Sequence, residues 1–202
     1  MRRAPAAALL AALMAALAAG ALTPEASRSA GQKFERLGGQ KLPPGSQVSF
    51  SEEEINSYLR YDCAPEIPAG ISQPNFRFEP DRIVVKAVVD FLEWQVERGA
   101  SAGLLLRWLL RGKRPVEATA RYTSADGWGR ADVERARIGS LMLSGEAVHF
   151  LVEHLVRPRY PPAVVGQKHA LGYNLRQVRF ERGRAVLVVG DTPKPRTADG
   201  RR

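Results

Sequence analysis

The sequence predicts an α+β domain: a strongly curved antiparallel sheet wrapped against amphipathic helices. Three observations predict it. Short connections at Glu79 to Arg82, Ser124 to Gly127 and Glu181 to Arg184 join alternating apolar and polar runs, and none is long enough for a parallel crossover. Stretches after Ser51 and after Ser144 carry apolar residues at helical spacing. Between Val116 and Ile138 the inward positions are small, and their parity changes once, as a bulge in a bent sheet requires.

The chain opens with Arg2 and Arg3 ahead of an alanine- and leucine-rich run from Ala6 to Ala18, closed by Ala19-Gly20-Ala21. A charged end, an apolar core and a small-residue site form the layout of an export signal, so residues 1–21 are expected to be removed and the mature chain to begin near Leu22. The run is shorter than the roughly 20 residues of a spanning helix. An uncleaved N-terminal anchor is the alternative. Residues 22–47 mix Pro, Gly, Ser and charge without periodicity, and read as a flexible tether leading to one domain over 48–189.

Ser51-Glu52-Glu53-Glu54 has the form of a capping box, with Ser51 taking the amide of Glu54 and Glu54 reaching back, and its acidic first turn suits the helix dipole. Ile55, Tyr58 and Leu59 give that helix its apolar stripe. It ends before Pro65. A hairpin follows at Phe76 to Val85. In the strand from Arg82 to Phe91, Ile83, Val85, Ala87, Val89 and Phe91 share the face expected to be buried, and Val84, Lys86, Val88 and Asp90 share the half-wet one. Between Gly99 and Gly112, Leu104-Leu105-Leu106 and Trp108-Leu109-Leu110 make a more continuous apolar run than a surface helix requires. It reads either as a core helix with basic ends or as a segment at a lipid interface, with Arg107, Arg111, Lys113 and Arg114 at anionic head groups.

From Val116 the period returns to two, Asp126-Gly127 makes a hairpin turn, and the parity change places a bulge near Glu134-Arg135. Ser144 offers a helix cap, after which Val148, Leu151, Val152 and Leu155 form a stripe that Pro158 stops. The closing hairpin, Val178 to Val189, turns at Arg182-Gly183. Arg77, Phe78, Glu79 and Arg82 correspond without a gap to Arg179, Phe180, Glu181 and Arg184, which suggests two diverged helix-plus-hairpin units. Residues 190–202 are polar and basic and read as a disordered tail.

The 202-residue chain carries a formal charge of +9, and loss of two of its 30 basic residues with the signal, against none of its 21 acidic ones, leaves +7. A basic exported protein meets anionic lipid and envelope polymers rather than nucleic acid. Cys63 is the single cysteine, which excludes an intramolecular disulfide. It is expected to pack as a small apolar group. His149 and His154 are five apart and do not share a helical face as ligands four apart would, and His169 falls in a loop. No phosphate-cradling, dinucleotide or nucleophile-elbow motif is present, and Glu52-Glu53-Glu54 is explained by helix initiation. The expectation is a protein without catalysis, cofactor or metal.

Val48 to Leu59, with its hydroxyl cap, acidic turn and Ile55-Asn56 pair, resembles the opening helix of small bacterial exported proteins of the tubular lipid-binding, TULIP-like, type. Ala136 to Leu143 with the Ala147 to Val156 helix, and Val178 to Val189, are similar to their later segments. The resemblance covers about two-thirds of the mature chain. It implies a curved sheet around a helix, enclosing an apolar groove for lipid chains. The candidate lining is then Ile55, Tyr58 and Leu59 from the first helix, Val148, Leu151, Val152 and Leu155 from the second, and Phe78, Val85, Phe180 and Leu187 from the hairpins. The expected function is an envelope protein binding acyl chains or another apolar ligand. A structural or assembly component with a packed core is the alternative, and an envelope hydrolase would require a nucleophile and base within reach in a cleft.

Overall fold

The computed structural model describes residues 21–91, 112–153 and 165–191. Within them the strands pair only antiparallel, in a three-stranded sheet ordered β1-β9-β8 and a six-stranded sheet ordered β2-β3-β4-β5-β6, with β7 also on β5. The strands are β1 (Gln47–Ser51), β2 (Ile71–Glu79), β3 (Arg82–Asp90), β4 (Lys113–Ala125), β5 (Trp128–Ile138), β6 (Leu141–Ser144), β7 (Lys168–Ala170), β8 (Leu175–Glu181) and β9 (Arg184–Val189). The helices are α1 (Pro24–Gly38), α2 (Glu52–Tyr61) and α3 (Glu146–Leu151). One isolated bridge, Ala131 to Val165, is parallel.

Helix α1 corrects the expected tether at 22–47. Thr23 caps it by accepting the Ala26 amide at 3.1 Å, Pro24 occupies the first turn, and Ser27, Ala30 and Leu37 are buried. That stripe has helical spacing, with Phe34 beside it, and two of its three buried residues are small. Small residues let α1 lie close along α2, and polar contacts stitch the pair. Thr23 donates its amide to Ser57 Oγ at 3.1 Å, Ser29 donates to Glu54 at 2.6 Å, and Ser27 reaches the Asp62 carboxylate. Phe34 completes the contact, its ring 4.6 Å from Phe50 and 5.0 Å from Tyr58.

The capping box of α2 is present, with Ser51 Oγ accepting from Glu54 N and Glu54 Oε2 accepting from Ser51 N. The helix also closes the free edge of β2. Asn56 is buried and meets Phe76 twice, donating to its carbonyl at 2.8 Å and accepting from its amide at 2.6 Å, while Glu52 accepts from the Phe78 amide at 2.6 Å. A side chain thus stands in for a neighbouring strand.

The turn at Asp126 and Gly127 has positive φ at both residues, 50° and 81°, as the hairpin requires. The bulge falls on Glu134: Thr119 pairs with Arg135 and Ala120 with Val133, leaving one extra residue on β5. Parity on β3 is less clean than expected. Val84 and Val89 are both buried although they lie on opposite faces, while Val85 is half-buried.

The two R-F-E-x-x-R hairpins have the same register, Phe78 opposite Ile83 and Phe180 opposite Ala185, and they grip one another at their tips. Asp81 donates its amide to the Phe180 carbonyl at 3.1 Å, and Gly183, its counterpart, donates to Phe78 at 3.0 Å. The relation extends outward. Ser51 of β1 faces Arg184 as Arg121 of β4 faces Arg82, and Ser124 Oγ serves both backbone groups of Val178, at 2.6 and 2.8 Å, as Asn56 serves Phe76. The two sheets thus match over three strands, β4-β3-β2 and β1-β9-β8. Helix α3 begins after Gly145, not at Ser144, which ends β6 instead, and it packs at the far end of the large sheet.

Candidate apolar ligand site

The eleven expected lining residues do not share one space. Ile55, Tyr58 and Leu187 pack with α1 around Phe50 and Leu37 in the core beneath the small sheet. Leu59, beside them on α2, is half-buried. Phe78, only 4% exposed, lies 5.2 Å from Phe180, whose ring meets Tyr122 edge-on at 5.2 Å, so these aromatics fill the junction of the sheets. Leu151 belongs to a separate cluster with Val89, Phe91 and Ile138. Val148 and Val152 line a hollow of about 430 Å³ with Val133 and Val165, rimmed by Arg130, Asp132 and His149. Leu155 lies outside the described residues, as do residues 1–20, the Leu104 to Leu110 run with Arg107 and Arg111, and residues 192–202. Lys113 and Arg114 begin β4, opposite Asp90 and Val89.

Val85 marks what the large sheet offers instead. Cross-strand register places Val85 beside Ala118, and Ala118 beside Ala136, while Ala87 faces Val116 and Ile83 faces Ala120. All of these inner-face residues are half-buried, between the aromatic junction at one end and the Val89–Phe91–Ile138 cluster at the other. From Ile83 to Val89 the strip runs about 20 Å at roughly 3.3 Å per residue. It is apolar and half-buried, with Ala87, Ala118, Ala120 and Ala136 as its smallest members. Its signal in the sequence is the alternation of small residues from Ala118 to Ala136, of whose surroundings the expected lining includes only Val85.

At the junction end the strip meets two polar side chains. Tyr122 Oη stands 3.4 Å from His169 Nε2, and His169 Nδ1 is buried with no hydrogen-bond partner among the described residues. Gly129 makes their placement possible. A Cβ there would lie 2.2 Å from Tyr122 Oη and 3.0 Å from His169 Nε2. Burial pushes the Tyr122 hydroxyl above its usual range, so it stays protonated and can donate.

The opposite face of the sheet is charged. Glu134 accepts from Arg82 at 2.8 Å and Arg121 at 2.9 Å, and Glu117 pairs with Arg137 at 2.8 Å and Lys86 at 3.3 Å. Hydrogen bonds from Arg82 and Arg121 hold the Glu134 carboxyl below its usual range, and those from Arg137 and Lys86 do the same for Glu117 against the opposing effect of desolvation. The sheet is thus amphipathic across its thickness.

Cys63 is half-buried next to α2, and burial first, then Glu66, pushes its thiol up, away from the reactive thiolate. Among the described residues no group of three His, Cys, Asp or Glu side chains could hold a metal, and no helix is long and apolar enough to cross a membrane. No protein-family model matches this sequence, and no curated protein matches it.

Proposed function

We propose that this chain is an exported, non-catalytic envelope protein that holds an acyl chain or another apolar ligand along the inner face of its large sheet. The half-open strip through Val85, Ala118 and Ala136 carries this reading, because strands that bury the ends of a face leave its middle short of side-chain volume. The Tyr122–His169 pair suits the polar end of such a ligand. The resemblance of Val48 to Leu59 and of the closing hairpin to tubular lipid-binding proteins agrees with it, and the layout of residues 1–21 supports export.

The test is native mass spectrometry of the full chain with extraction of co-purified lipid, beside an Ala118→Phe variant that fills the strip. Lipid on the parent and none on a variant that still melts cooperatively is the expected outcome. Lipid retained equally by both would reject the strip. The second reading, an assembly component with a packed core, is favoured by the absorption of Ile55, Tyr58 and Leu187 into the α1–α2 core, and it predicts no bound lipid in the parent.

A further inference from the structure

We propose that the outer face of the six-stranded sheet is a docking surface for an anionic lipid bilayer. Register puts Arg82, Lys86, Arg121, Arg135 and Arg137 on this one face, and Lys168 of β7 joins it opposite Arg130. Glu117, Glu134 and Asp132 on the same face do not neutralise this set, because Asp132 is taken up by Arg130. Glu134 is shared by Arg82 and Arg121, and Glu117 by Lys86 and Arg137, so each trio keeps one positive charge, while Arg135, between the trios, has no carboxylate partner among the described residues. The side chains of Lys86, Arg121 and Arg137 are about half exposed. The shared glutamates hold the guanidinium groups in place and leave their remaining N–H groups free to meet phosphate oxygens.

Charge alone would suit a soluble polyanion as well as a membrane. The apolar residues of the same face favour the bilayer. Met142, opposite Arg137, is 59% exposed, and Trp128, on the same face at the other end of β5, is 44% exposed. Tryptophan beside basic residues is the composition of a head-group interface, where the ring sits at the level of the lipid carbonyls and the cations meet phosphate. A hydrated polymer would leave both apolar groups without a partner. A hollow of about 280 Å³, floored by Val88 and Pro115 between Lys86 and Arg137, gives one head group a recess on this face. The surface lies on the reverse side of the sheet from the strip, so the proposal stands whether or not the strip holds a ligand.

The experiment is co-sedimentation of the full chain with vesicles of phosphatidylcholine alone or mixed with phosphatidylglycerol, at low and high salt. The readout is the excess on anionic vesicles, which subtracts partitioning that ignores head-group charge. Arg135→Ser and Lys168→Ser remove exposed cations that hold no described ion pair, so the fold should persist, checked by an unchanged melting temperature. Each is expected to weaken the anionic excess about fivefold, the effect of one cation at a charged surface. Arg179→Ser, an equal loss of charge on β8, should leave it unchanged. Trp128→Ser should lower total binding at high salt to both kinds of vesicle and leave the anionic excess unchanged, and unaltered total binding would overturn the apolar contact. Equal losses in Arg179→Ser and Arg135→Ser would overturn the proposal, as would binding to soluble polyphosphate without binding to vesicles.

Discussion

Glu54 shows how much one side chain carries here. Burial opposes its ionisation, but hydrogen bonds from Lys33, Ser29 and the Ser51 amide outweigh that, and its carboxyl is held below the usual range. A carboxylate whose folded pKa is depressed contributes stability that is complete above its unfolded value of about 4.3 and is lost as pH falls through the lower folded value. Glu54→Gln should therefore destabilise the fold at pH 7 by about 1.5–3 kcal/mol, the worth of hydrogen bonds to a charged group, and the gap to the parent should narrow in acid. Urea melts at pH 7 and pH 3 measure both terms; a gap independent of pH would contradict the assignment. Gly129 is the other sensitive position. Gly129→Ala drives a methyl group into Tyr122 Oη, and a loss of about 1–3 kcal/mol with displacement of the Tyr122 ring is expected, read by thermal melting and by near-UV circular dichroism.

At the scale of elements, α1 is the one that sequence reading lost. Its stripe of Ser27, Ala30, Phe34 and Leu37 has helical spacing and Thr23-Pro24-Glu25 is a sound helix start, so the signal was present, and the Pro, Gly and Ser content of residues 22–47 was weighed above it. The smallness of Ser27 and Ala30 is what the close α1–α2 contact uses. Thr23→Ala should cost about 1 kcal/mol through the lost cap, measurable in the urea midpoint, whereas a true tether would be indifferent to it. The hairpins, the bulge at Glu134 and the capping box of α2 were legible because each rests on local chemistry: a positive φ, a shift of parity, a serine three residues before a glutamate. The candidate lining was legible only in part. Periodicity identifies which residues turn inward, and Phe78, Leu151 and Leu187 do so, but it does not say which interior each one enters. That depends on how the sheets meet, which is set by the non-local bonds between Asp81 and Phe180 and between Gly183 and Phe78.

For the molecule as a whole, those reciprocal bonds and the Phe78–Phe180–Tyr122 cluster make the two sheets one cooperative unit. The Asp81 and Gly183 amides should exchange with solvent together and only through global opening, since each is held by the opposite hairpin. Phe180→Ala should cost about 3–5 kcal/mol and accelerate exchange in both sheets equally. Exchange confined to the small sheet would show instead that the sheets open separately. The substitution of side chains for strands at the sheet margins bears on solubility over long times. Asn56 and Ser124 occupy the hydrogen-bonding groups of Phe76 and Val178, the positions at which a foreign strand would otherwise add. The segments Asn75 to Phe78 and Val178 to Phe180 carry Phe76, Phe78, Val178 and Phe180, residues that favour strand pairing. Two small polar side chains thus occupy the places of a foreign strand, and Asn56→Ala and Ser124→Ala are expected to raise concentration-dependent self-association, read by light scattering of the folded chain.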